Sequence, residues 1–215
     1  MIVEEIMKVD ISTLTPNDSI ADAIQLMKEK KIRHIPIVDQ KEQIVGIVTD
    51  RDIKEAISPI FHYEEHKEDL TKTLGSIMST NILTAHPLDF VEEIAALFYE
   101  HKVGCLPIIQ EQKLVGIVTE TDLLHTLVEL TGAHQPGSQI EVKVPNKAGM
   151  LCEITSVIRD RKANIQSVLV YPYKKDPAYK ILVLRVQTMN PLSLIEDLKN
   201  AGHCVLWPNL PGMDS

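Results

Sequence analysis

One stretch of this chain is written twice. The segment "EEIMKVDISTLTPNDSIADAIQLMKEKKIRHIPIVDQKEQIVGIVTDRDI" aligns with "GSIMSTNILTAHPLDFVEEIAALFYEHKVGCLPIIQEQKLVGIVTETDL". Met7 matches Met78, Pro16 matches Pro87 and Pro36 matches Pro107, each 71 residues apart. Gly46 matches Gly116, Thr49 matches Thr119 and Asp52 matches Asp122, each 70 apart. The lost residue falls between Pro36 and Gly46, where a polar turn is expected and length changes are tolerated. An internal repeat of this length constrains the fold before any single residue is read.

Each copy parses alike. A short extended piece (Ile11–Thr15; Ile82–Ala85) runs past a proline into an Asp-containing turn. A helical face follows, formed by Ile20, Ala23, Ile24 and Met27, or by Val91, Ile94, Ala95 and Phe98. "HIPIV" and "IVGIVT" then read as a hairpin, as do "CLPII" and "LVGIVT". A second helix begins after Thr49 and Thr119. Asp52 or Asp122 lies in its first turn, where the helix dipole favours a carboxylate. The bland role for such a Thr and Asp is an N-cap, which alone stabilises by ~1 kcal/mol.

The paired "h-x-P-h-h…G-h-h-T-x-x-D-h" layout (h, apolar) resembles the CBS-domain pair, or Bateman module. That resemblance implies a disc of two repeats with clefts that bind adenosine nucleotides (AMP, ADP or ATP, with or without magnesium). Carried over residue by residue, Asp52 and Asp122 would receive ribose hydroxyls, and Thr49 and Thr119 would touch ribose or phosphate. The backbone at Ile35 and Pro36, and at Leu106 and Pro107, would flank adenine, with Ile11 and Ile82 as an apolar shelf. The chemistry fits, because an ionised carboxylate only accepts hydrogen bonds and can take both vicinal hydroxyls. Arg33, His34 and Arg51 belong to the first copy, where the second has Gly104, Cys105 and Thr121. A guanidinium is the better phosphate partner, so the first copy is expected to be the better phosphate site.

"TGAHQPGS" at 131–138 reads as a linker. Beyond it, Ile140, Val142 and Val144 alternate as in a strand, and Leu151, Ile154, Val157 and Ile158 share a helical face. "ANIQSVLVYPY" and "YKILVLRVQ" read as strands, "PLSLIEDLKNAG" as a helix closed by Gly202, and "HCVLW" as a last strand. The order β-α-β-β-α-β is a split ferredoxin-like arrangement. With "VPNKAGMLCEI" it resembles the ACT domain, an amino-acid-sensing module. That implies a ligand site at Asn146, Gly149, Met150 and Leu151. Asn146 and Ala148 stand where Asp and Pro are common, so pure dimerisation or docking is the competing role.

The expected class is α+β: repeat 1 at 1–60, a connector at 61–73, repeat 2 at 74–130, the linker, and an ACT domain at 139–215. Residues 1–135 carry a net −11 and the remainder +3. So acidic a front half would be repelled by a phosphate backbone, which argues against nucleic acid. No apolar run approaches the ~18 residues of a membrane span. The N-terminus lacks a signal-peptide shape, and Cys105, Cys152 and Cys204 are widely separated. This predicts a cytoplasmic protein whose cysteines are small buried residues. His62-Tyr63-Glu64-Glu65-His66 matches H-x-x-E-H, a zinc-protease pattern, but a charged connector without a third ligand reads as a solvated helical turn. No catalytic motif is present, so the chain is not expected to be an enzyme.

The combination resembles the acetoin-utilisation AcuB family. It implies a homodimeric regulator with a protein partner in acetoin or butanediol metabolism. The alternative is a scaffold whose modules only assemble.

Overall fold

The computed structural model describes residues 1–57 and 69–208. The His62–His66 pattern lies outside them. The chain forms two compact units, Met1–Leu124 and His125–Ser215.

In the first unit each repeat contributes a helix, a hairpin and a second helix. The first copy has α1 (Ile20–Lys30), β1 (His34–Val38), β2 (Ile44–Thr49) and α2 (Asp50–Ala56). The second has α3 (Val91–His101), β3 (Cys105–Gln110), β4 (Lys113–Thr119) and the start of α4 (Glu120–Thr131). Ile20 and Ala23 of α1, and Val91, Ile94 and Phe98 of α3, are buried as their spacing predicts. Burying each of the larger side chains, Ile20, Val91, Ile94 and Phe98, is worth roughly 1.5–3 kcal/mol. The expected extended pieces are reduced to single bridges, Leu14 to Ile37 and Ala85 to Ile108, each within its own repeat.

The hairpins explain the change of offset. The first turn is held by Asp39, whose Oδ1 accepts from the backbone N–H of Lys41 and Gln43. The second is a two-residue turn in which Glu111 and Gln112 both take positive φ, at 50° and 67°. That is the twist-matched hairpin turn, and it is one residue shorter than its counterpart demands.

The repeats exchange their leading segments. Val3, Ile6 and Met7 pack with Ile94, Phe98, Leu106 and Val118 of the second repeat. Their counterparts Leu74, Ile77 and Met78 pack with Ile20, Ile35 and Val48 of the first. Lys8 bridges Ile117, and Ser79 bridges Ile47. A Cβ on Gly46 would collide with the Met78 sulfur, and one on Gly116 with the Met7 sulfur. These glycines therefore admit the exchanged segment. His34 makes a further cross-repeat contact, because its Nε2 occupies the space a Gly104 side chain would need.

In the second unit β5 (Ser138–Pro145), α5 (Met150–Asp160), β6 (Ile165–Pro172), β7 (Tyr179–Val186), α6 (Leu192–Asn200) and β8 (Cys204–Trp207) follow the expected order. The antiparallel sheet runs β6-β7-β5-β8. Ile140, Val142 and Val144 meet Ile154, Ile158 and Leu198 in its core. Leu151 was expected on the buried face of α5. It is exposed, and Met150 is buried in its stead. Of the expected linker, 131–138, Ser138 already belongs to β5 and the rest is bonded to this sheet. Ser167 Oγ donates to the Thr131 carbonyl (2.8 Å) and Arg185 Nη2 to that of Gln135 (2.6 Å).

Two outcomes follow from the cross-repeat packing. Gly46→Ala should overpack the Met78 contact and destabilise the first unit by ~1–3 kcal/mol in chemical denaturation, whereas Gly202→Ala would test only backbone strain. His34 is held below its ordinary value of 6.5, first by burial and then by Arg33, against the pull of Asp50, Glu120 and Asp52. Its contribution to stability is present above that value and is lost as pH falls toward the depressed one. The melting temperature should therefore drop between pH 7.5 and 5.5, and His34→Gln should flatten that drop.

Candidate nucleotide site

Thr49 and Thr119 close the second strands and open α2 and α4. Asp52 Oδ2 accepts from the Thr49 N–H (2.7 Å) and hydroxyl (2.7 Å), and Thr49 Oγ1 accepts from the Asp52 N–H (3.2 Å). The second box is the same: Asp122 Oδ2 accepts from the Thr119 N–H (2.8 Å) and hydroxyl (2.6 Å), and Thr119 Oγ1 accepts from the Asp122 N–H (3.4 Å). Each threonine thus spends its proton on its aspartate. What remains is acceptor capacity, which suits a ribose hydroxyl better than a phosphate oxygen.

A cleft of about 420 Å³ lies between the repeats. Ile11, Arg33, His34 and Pro36 of the first repeat line it, together with Gly104, Thr119, Glu120 and Thr121 of the second. Arg33 and His34 therefore share a cleft with the second repeat's threonine. The sequence had grouped them with Thr49, Asp52 and Arg51 of their own copy. Lys8, Lys30 and Lys31 also line the cleft, as do Asp10 and Glu120. Lys8 Nζ lies 2.6 Å from Asp122 Oδ1, where the carboxylate side chain is 12% exposed. Burial works against ionisation of Asp122, but Lys8 and Thr119 outweigh it and hold its pKa below the usual carboxylate value.

The other expected residues fall elsewhere. Ile35 and Leu106 are fully buried core side chains, leaving only their backbone to face a ligand. Pro107 is buried and Ile82 half-buried, neither among the lining residues of this cleft. Arg51 is exposed and pairs with Glu55 (3.0 Å). In the second unit Asn146 and Gly149 are exposed, and Gly149 takes a positive φ of 91° as it starts α5. Met150 belongs to the core and Leu151 faces outward.

Sequence reasoning missed Lys8, Lys30 and Lys31. Lys8 was visible as a difference between the copies, since Ser79 stands at its counterpart. Cys105 is buried, with its thiol pushed up to about 12 by burial. Cys152 is exposed and Cys204 half-buried, so the expectation of buried cysteines holds fully for Cys105 alone. Among the described residues no group of three His, Cys, Asp or Glu could hold a metal, and no helix is long and apolar enough to cross a membrane.

Comparison with known proteins agrees with this architecture. The CBS-domain profile matches residues 3–59 and 74–129, and the ACT-domain profile matches 138–203. A Vibrio cholerae protein named for acetoin utilization (AcuB) is 31% identical, with a TM-score of 0.55 over 63% of this chain and 96% of that one. The CBS pair of protein MJ0100, solved with 5′-methylthioadenosine and S-adenosyl-L-methionine, is 28% identical, with a TM-score of 0.52 over 63% and 98%. CBSX2, solved with AMP, is 25% identical, with a TM-score of 0.51 over 59% and 96%. Among curated relatives, homoserine O-acetyltransferase of Methanococcus vannielii is 33% identical over 127 residues, 59% of this chain but only 25% of that protein. With two CBS repeats around a shared cleft, followed in sequence by an ACT domain, the chain belongs to the CBS-domain family.

Proposed function

We propose that this protein is a non-catalytic regulator whose CBS pair senses an adenine nucleotide. The observation that carries the reading is the cleft in which Thr119 meets Arg33 and His34 from the other repeat. An acceptor box for ribose and cations for a phosphate share one cavity, and the solved relatives hold AMP or adenosyl compounds. The likeness to the Vibrio cholerae protein suggests a protein partner in acetoin or butanediol metabolism. Thr49 and Asp52 would serve a second cleft of the same design, with Ile82 and Pro107 on the opposite wall.

Titration with AMP, ADP and ATP, with and without magnesium, tests this. A ligand at a hundredfold excess over Kd stabilises by about 2.7 kcal/mol, a shift of a few degrees for a chain of this size. Asp122→Asn keeps the box through its amide oxygen but removes the charge. It should weaken binding in its cleft by roughly 10–100-fold, the worth of a hydrogen bond to a charged group. Asp52→Asn should act on the other cleft. No thermal shift and no heat of binding with any of the three nucleotides would remove the sensing function and leave a scaffold.

Assembly is a second part of the proposal. The apolar face of α1 around Ile20, Ile24 and Met27 is one candidate for a dimer face, if the chain itself leaves it uncovered. That face is largely used within the chain: Ile20 is fully buried, and Ile24 and Met27 pack against the core. The edge strand β6 is a better candidate. Val168, Leu169, Val170 and Tyr171 are 37–52% exposed, and β6 carries no charge. Edge strands are ordinarily guarded by charge or by cover. Antiparallel pairing of two copies about Leu169 would set Val168 against Val170 and form a two-fold dimer. Leu169→Lys should then yield a monomer in light scattering while the wild type is a dimer; a dimer unaffected by the substitution would place the interface elsewhere.

A further inference from the structure

The two boxes match in their internal bonds, but their surroundings differ at one residue. Lys8 bridges Ile117 beside the second box, and Ser79 bridges Ile47 beside the first. Only Asp122 therefore has a lysine delivered by the exchanged segment, and that lysine is already seated at 2.6 Å on the oxygen its threonine does not use. Lys8 remains 59% exposed and lines the cavity, so it can swing from the carboxylate without unpacking the core.

We propose that Lys8 is a specificity residue that makes the Thr119–Asp122 cleft select phosphorylated adenosine over uncharged or cationic adenosyl compounds. The inference rests on the nucleotide reading of this cleft. A ribose that takes both of its hydrogen bonds from Asp122 must displace the ammonium. A ligand bearing a 5′-phosphate receives the displaced cation, alongside Arg33, Lys30 and Lys31. Adenosine offers it nothing, and a sulfonium ligand opposes it. The cleft with Ser79 in this place has no such requirement, so one chain can read two adenosine chemistries. The discrimination is modest, because a half-exposed ammonium stripped of its partner is still hydrated.

Calorimetry on the full chain in an Asp52→Asn background, which leaves Asp122 as the one charged box and weakens the other, tests the idea with AMP, adenosine and 5′-methylthioadenosine as probes. With Lys8 in place, AMP should bind about tenfold or more tighter than adenosine, the scale of one partly exposed ion pair. Lys8→Met should bring the two within about threefold, by weakening AMP and by removing the ammonium that adenosine must displace, and Lys8→Arg should restore the preference. Equal affinity for AMP and adenosine in the Lys8 protein would overturn the proposal and leave the nucleotide reading intact. So would a Lys8→Met protein whose AMP-to-adenosine ratio is unchanged. Failure of every probe to bind the unsubstituted chain would remove the nucleotide reading and this inference with it.

Discussion

The reciprocal exchange of leading segments is the constraint on which the first unit depends. Val3 and Met7 complete the second repeat's core, and Leu74 and Met78 complete that of the first. Neither hairpin has enough strands to bury its own apolar face, since each is a two-stranded sheet. The exchange supplies the missing cover and couples the two cores in one step. It also explains why glycine stands at both 46 and 116: the incoming methionine lies directly on the strand there. The same crossing places Lys8 against the second box, so the electrostatics of the cleft follow from the packing of the core.

Much of this was legible because the repeat was written so plainly. The helical faces, the hairpins and the order of the second unit follow from periodicity and turn residues, and Ile140, Val142 and Val144 are buried as their alternation requires. The exchange was not legible. Nothing in the pattern of Ile6 and Met7 says which copy they will cover, because equivalent apolar positions are chemically interchangeable between repeats. Arg33 was therefore grouped with Thr49, its neighbour in sequence, and the structure sets it across from Thr119. The segment 131–138 was read from glycine and proline as a linker. Its carbonyls at Thr131 and Gln135 are in fact taken by side chains of β6 and β7. Those bonds come from residues over thirty positions away, beyond any local signal. Leu151 was misplaced by one helical position, because Gly149 starts α5 so that Met150, its first residue, faces inward.

The site residues pose a harder problem of reading. Ser19 and Asp22 form the same box at the start of α1, with the carboxylate accepting from the Ser19 N–H (2.9 Å) and hydroxyl (2.6 Å). Its geometry matches those of Thr49–Asp52 and Thr119–Asp122 closely, yet neither residue lines the nucleotide cleft. The box as such is therefore a helix cap, and its internal bonds carry no functional information. The difference lies in the second carboxylate oxygen and in what faces it. At Asp122 that oxygen meets Lys8 of the other repeat, and Lys8 and Thr119 both line a cavity walled by both copies. A local motif becomes a binding site when the fold brings a remote wall to it, and in this chain the wall is brought by the exchanged segment.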